Sequence, residues 1–221
     1  MEKALIIGAS GGIGTALSAA LAARGVAVTG LSRSGDGLDV TDEDSVAAAL
    51  GALEGPYDLV LVTTGALEID GATPEKTIKS LDPKAFMDQV ALNAMGPALV
   101  LKHVLPLLPR DRPAVFAALS ARVGSIGDNR IGGWYSYRTA KAALNQLVHT
   151  AAIELARTHK QLACVALHPG TVATPFTEKY LGRHSSVPPS EAARNLLGVI
   201  DGLTPKDTGR FYDWAGKEVV W

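Results

Sequence analysis

A single cysteine, Cys164, stands among the 221 residues, so no internal disulfide can form. A reducing, cytoplasmic setting is therefore expected. Cys164 lies in an apolar run, Leu162 to Leu167, and reads as a buried, inert thiol. Neither sign of charge dominates: 21 Lys and Arg face 22 Asp and Glu, a formal net charge of -1. That balance supplies no bulk attraction to nucleic acid or to a membrane surface. Met1-Glu2-Lys3 leads into only four apolar residues before Gly8, too few for a signal-peptide core. No uninterrupted apolar run approaches the ~18 residues of a membrane span. The five histidines (103, 149, 159, 168 and 184) lack paired spacing, so no metal site is expected. His149 and His159 read as surface or interface residues of a long helix. The Gly-x-Ser-x-Gly elbow is also missing, which argues against a nucleophilic hydrolase.

What is present is an apolar fraction of 47% with only 19% charged residues, enough for one packed domain over 1–221. Short apolar runs alternate with longer amphipathic segments. Strands are expected at 4–7, 26–31, 59–62, 114–119, 162–167 and 211–212. Helices are expected at 13–24, 43–50 (opened by Thr41), 83–105, 135–158 and 190–200 (capped by Ser190). This alternation implies a doubly wound Rossmann-type α/β domain, its sheet mostly parallel and covered by helices on both faces.

Between the first strand and first helix lies Gly8-Ala9-Ser10-Gly11-Gly12-Ile13-Gly14. Glycines there let backbone amides at a helix N-terminus approach a pyrophosphate. Beyond the second strand, where a carboxylate would favour NAD, the chain carries Ser32-Arg33 and has no acid before Asp36. Arg33 suits the 2′-phosphate of NADP, and NAD stays possible. Further on, Tyr137 and Lys141 stand four apart, on one face of a helix. A nearby ammonium, aided by an oxidised nicotinamide, would draw the phenol toward ~7 and suit it to acid–base work.

With these motifs the chain resembles the short-chain dehydrogenase/reductase family nearly end to end. Gly8, Gly12 and Gly14 match its cofactor turn, and Asp39-Val40 its adenine-contacting pair. Thr63-Thr64-Gly65-Ala66 stands where the family has asparagine-asparagine-alanine-glycine. Asn93 matches the asparagine of a water-linked proton relay to the lysine. Pro169, Val172 and Thr174 match the segment that reaches the nicotinamide carboxamide. Val123 to Asn129, Gly133 to Tyr137 and Phe211 to Trp214 resemble a C-factor-like branch.

One departure concerns the serine that polarises the substrate carbonyl in this family: alignment places Ala121 there. Ser125, four residues later, is the expected substitute donor. Residues 175–190 correspond to the substrate-covering segment, with Phe176, Tyr180, Leu181 and Val187, and with Trp134 and Tyr135, as lining. The resemblance implies an NADP-dependent oxidoreductase acting on a small carbonyl or alcohol, assembled as a homodimer or homotetramer. The competing expectation, fed by Ala121, is a dinucleotide-binding regulatory or signalling protein with weak or no turnover.

Overall fold

The computed structural model describes residues 1–175, 177–180 and 185–221. Six strands, β1 (Lys3–Ile7), β2 (Ala27–Leu31), β3 (Leu59–Val62), β4 (Ala114–Leu119), β5 (Leu162–His168) and β6 (Phe211–Asp213), form one sheet. The order is β2-β1-β3-β4-β5-β6, and every pairing is parallel. Seven helices alternate with them: α1 (Gly12–Ala23), the single turn α2 (Arg33–Asp36), α3 (Glu43–Gly51), α4 (Pro83–Val90), α5 (Gly96–Val104), α6 (Tyr135–Leu155) and α7 (Pro189–Gly202).

The central strands are apolar at every position because both faces are covered. Leu5, Ile7, Val60, Val62, Phe116, Ala118 and Cys164 point to one layer, packed with Val46 and Leu50 of α3, Val100 and Val104 of α5, and Leu144 and Val148 of α6. Ala4, Ile6, Leu59, Leu61, Ala117 and Val165 point to the other, with Leu17 and Leu21 of α1 and Leu196 and Leu197 of α7. Alternate residues therefore serve opposite cores, each buried Leu, Ile or Val contributing about 1.5–3 kcal/mol. Burial pushes the Cys164 thiol up to about 12, which keeps it protonated. The strand order reverses between β1 and β3, and the crevice beyond their carboxyl ends is where such sheets receive ligands.

Several helix ends differ from the sequence expectation. Asp42, not Thr41, caps α3 by accepting the Asp44 N–H; Thr41 instead donates its hydroxyl to Asp39. Pro188 occupies the cap of α7, so Ser190 already lies within its first turn. The helix expected over 83–105 is broken by a π turn at Ala91–Met95. The stretch Pro83–Leu107 is long and apolar enough to cross a membrane by length and composition. Here its residues Asn93, Ala94, Val100 and Val104 are buried within the domain. α6 ends at Leu155, leaving His159 beyond it and buried, while His149 holds the Gly209 carbonyl and meets Trp221 edge-on. His159 is thus not a surface residue of the helix, whereas His149 lies on it, half-buried.

Candidate active site

The first half of the crevice is built from backbone. Gly11 precedes α1 without a side-chain cap, and no acidic residue stands in that helix's first turn. The amide end of α1, with Gly12, Ile13 and Gly14, therefore carries an uncompensated positive dipole. The turn is packed too closely for side chains at its glycines. A Cβ on Gly14 would stand 2.2 Å from the Gly8 carbonyl oxygen, and one on Gly12 would stand 2.8 Å from Thr174 Cγ2. Thr174, 160 residues and more from the turn in sequence, is thus brought against it. Thr63 at the end of β3 donates to the Ile7 and Gly8 carbonyls, a use for the threonine that stands in the family's asparagine position.

Ser10 accepts the Ser34 hydroxyl at 3.0 Å, linking the turn to α2. Arg33 is exposed at the start of α2. Asp36 is occupied within its own turn, accepting the Ser32 N–H at 2.8 Å. The Thr41 hydroxyl, then the Thr41 N–H, hold the Asp39 carboxyl below its usual range, with Arg33 adding a weaker pull. Val40 is buried next to Gly96.

The second half is built from side chains. Tyr137 and Lys141 lie on the first two turns of α6, and both are buried. Lys141 Nζ stands 5.7 Å from the Tyr137 ring centroid and donates to the Leu119 carbonyl at 2.9 Å. It would also be 3.5 Å from a Cβ on Gly65. Burial lowers Lys141 to about 7 and raises Tyr137 above its usual value. In the chain by itself desolvation thus outweighs the attraction between phenolate and ammonium, the opposite of the downward shift expected for Tyr137.

Asn93 lies in the π turn, fully buried. Its Nδ2 donates to the Ala66 carbonyl (3.0 Å) and to Gln89 Oε1 (2.7 Å), and its Oδ1 accepts the Ala66 N–H (3.3 Å). Gln89 in turn donates to the Leu67 carbonyl at 2.9 Å. The segment after β3 is therefore braced from α4 and the π turn, although it lacks the family's own asparagines. Gln89 escaped the sequence reading; its i, i+4 spacing to Asn93 was the available signal.

Ser125 is engaged with its own loop and the C-terminal residues. Its hydroxyl donates to the Val220 carbonyl and accepts the Asp128 N–H at 3.1 Å, while the Gly127 N–H reaches the Trp221 carbonyl at 2.8 Å. Both capacities of that hydroxyl fasten its loop to the C-terminal residues. Ser120 donates to Asn145 Oδ1 at 2.6 Å, on the α6 side of β4.

Beyond β5, Pro169-Gly170 leads to Val172, which bridges Val187. His168 has a sealed Nδ1 with no partner among the described residues, and burial, then Arg122, lowers it to about 4. Trp134 meets Tyr137 and Tyr180 edge-on, with centroids 6.3 and 5.5 Å apart. Tyr180 and Lys179 both bond to Glu68, at 2.6 and 2.7 Å. Phe176, Leu181 and His184 lie outside the described residues. Among the described residues, no three His, Cys, Asp or Glu side chains are grouped to hold a metal.

A family model described as short chain dehydrogenase matches residues 2–183. The 1-hydroxy-2-glutathionyl-2-methyl-3-butene dehydrogenase of Rhodococcus sp. (strain AD45) is 34% identical over 237 residues, covering 100% of both chains. The C-signal protein of Myxococcus xanthus is 33% identical over 175 residues, 79% of this chain and 99% of that one. Among solved structures, a short-chain dehydrogenase/reductase from Burkholderia multivorans with bound NADP superposes with a TM-score of 0.81 at 26% identity, covering 100% and 99%. The carbonyl reductase Sniffer of D. melanogaster gives 0.84 at 21%, covering 100% of both, a likeness of fold.

Proposed function

The chain belongs to the short-chain dehydrogenase family and is an oxidoreductase of that type, and from this premise we propose that it interconverts a carbonyl and an alcohol with NADP. The observation that carries the reading is the pairing of buried Tyr137 and Lys141, with the Lys141 ammonium close to Gly65.

The residues fit a dinucleotide: glycines at 12 and 14, required by close packing against Thr174 and the Gly8 carbonyl, leave the uncapped amide end of α1 bare of side chains. In this reading the turn from Gly8 through Ser10 to Gly12, Ile13 and Gly14 holds the pyrophosphate. Arg33 meets the 2′-phosphate, and Asp39 and Val40 the adenine. Lys141, beside Gly65, holds the hydroxyls of the nicotinamide ribose. Pro169, Val172 and Thr174 reach the carboxamide. The bound cofactor supplies or accepts the hydride. Tyr137 gives its phenol proton to the substrate oxygen as the carbonyl is reduced, and takes it back in the reverse direction. Asn93 keeps the segment at Gly65 and Ala66 in place. Ser125 is assigned to loop anchoring, so Tyr137 acts without a serine partner at Ala121. The relative named for a hydroxylated substrate supports alcohol chemistry, and the NADP-bound relative supports the cofactor.

We infer a homo-oligomer, with the groove between α5 and α6, lined by Pro97, Leu101, Leu147 and Ala151, as the face a second copy would cover. A homodimer or homotetramer in light scattering is expected, and a monomer would refute it.

Ala121 and the C-signal relative favour a second reading, a cofactor-binding regulator with weak turnover. One experiment separates them: NADPH oxidation over a panel of aldehydes, ketones and quinones, with native protein and Tyr137→Phe. Turnover that falls about 10²–10⁴-fold in the variant while NADPH still binds supports the reductase. Tight NADPH binding with no turnover on any compound supports the regulator.

A further inference from the structure

The chain enters α6 through three consecutive left-handed residues, Gly132 (φ 69), Gly133 (φ 68) and Trp134 (φ 54). Glycine adopts this region freely, whereas a side chain there costs roughly 1–2 kcal/mol because Cβ crowds the carbonyl oxygen. A residue as bulky as tryptophan stays in it only where its surroundings hold it.

The hold comes from Glu75, on the long connection between β3 and α4. Its backbone carbonyl accepts the Trp134 N–H at 2.6 Å. One carboxylate oxygen accepts the Ser136 N–H at 3.2 Å, and the other accepts the Ser136 hydroxyl. Glu75 and Ser136 are both buried. The helix has no side-chain cap from Trp134 itself. One residue 61 positions from Ser136 therefore occupies donors at the start of α6 that would otherwise be orphaned, and sets a negative group at the positive end of the dipole.

Tyr137 follows Ser136 directly, and the Trp134 ring meets both Tyr137 and Tyr180 edge-on. We propose that Glu75 is a positioning residue that clamps the start of α6, fixing both the Tyr137 phenol and the Trp134 wall against which an aryl or other flat apolar carbonyl substrate would lie. This rests on the assignment of Tyr137 as the acid–base group. Misplacement of such a group by about 1 Å can cost 10²-fold in rate.

The test compares native protein, Glu75→Ala, Glu75→Gln and Tyr137→Phe, with NADPH and an aryl aldehyde beside a small aliphatic one. Glu75→Ala is expected to lower kcat roughly 10–10²-fold and to raise KM more for the aryl aldehyde, with the Kd for NADPH unchanged. Glu75→Gln keeps an oxygen for the Ser136 N–H and is expected to restore most of kcat. Native kcat and KM in Glu75→Ala would overturn the clamp, as would equal losses in both Glu75 variants. Native turnover in Tyr137→Phe would instead overturn the assignment of Tyr137. Amide hydrogen exchange reads the clamp without turnover: Glu75→Ala should lose protection at residues 134–138 while the sheet keeps its own. Unchanged protection there would overturn the proposal.

Discussion

The two halves of the crevice are made in different ways. The glycine-turn half rests mainly on main chain: its shape comes from seven adjacent residues and from the absence of Cβ atoms at Gly12 and Gly14, with Thr63 and Thr174 packed against it. The Tyr137 half is made of side chains held by remote partners. Glu75 reaches Ser136 across 61 positions, Asn93 reaches Ala66 across 27, and Ser125 reaches Val220 across 95. In the first half the turn should be intolerant of volume, with side-chain chemistry entering only at its rim, through Arg33. The second should tolerate volume at its edges and be sensitive to the loss of a single acceptor.

The sharpest way to break the comparison is Gly14→Ala. With a Cβ at 2.2 Å from the Gly8 oxygen, the turn must shift, and NADPH Kd measured by fluorescence should rise about 10²-fold, near 2.7 kcal/mol. Native affinity would mean that the turn is not the pyrophosphate seat. On the other side, Ala121→Ser restores a hydroxyl to the family's serine position. A preorganised donor is worth about 10²–10³ when removed, so a rise in kcat of about 10–10² is expected; an unchanged kcat would show that the substrate oxygen lies elsewhere. Arg33→Ser should cut the preference for NADPH over NADH about tenfold, the size of one lost charge-assisted contact, as read from the ratio of kcat/KM values.

The gentlest probe is pH. Burial sets Lys141 at about 7 in the folded chain against an ordinary value of 10.5, so between these limits the unfolded chain binds the extra proton. Cofactor-free protein should therefore gain stability as pH rises from about 7, by at most about 1.4 kcal/mol per pH unit from this group. Urea unfolding of native protein and Lys141→Met at pH 7, 8 and 9 checks the sign. The native protein should gain on the variant at each step, and a constant difference would show that Lys141 does not titrate there.

What was legible in the residues follows the same division. Runs such as Leu59-Val60-Leu61-Val62 are apolar because both faces of a parallel strand are buried, and all six expected strands are present. The glycine turn was readable because its constraint is steric and contiguous. Glu75 was not, since a glutamate in a long connection carries no local sign that a helix 61 residues away lacks a cap. Ser125 was picked out by standing four residues after Ala121, while its partners, Asp128 and Val220, could not be read, since they are set by how the C-terminal residues return. Thr41 and Asp42 are both plausible caps, and only the competing bond from Thr41 to Asp39 decides between them.

The π turn at Ala91–Met95 has one further effect. Each turn of this kind carries an extra residue, and in a helix of 3.6 residues per turn one residue is about 100° of rotation. α4 and α5 are thereby out of phase along what would otherwise be one rod: α4 packs chiefly on α6, whereas α5 packs chiefly on α3 and only lightly on α6. Deleting one residue between 91 and 95 would bring the two halves back into phase and swing one apolar stripe off its partner. Indel tolerance in this helix should accordingly be poor, even where every single substitution at the exposed Met95 is harmless.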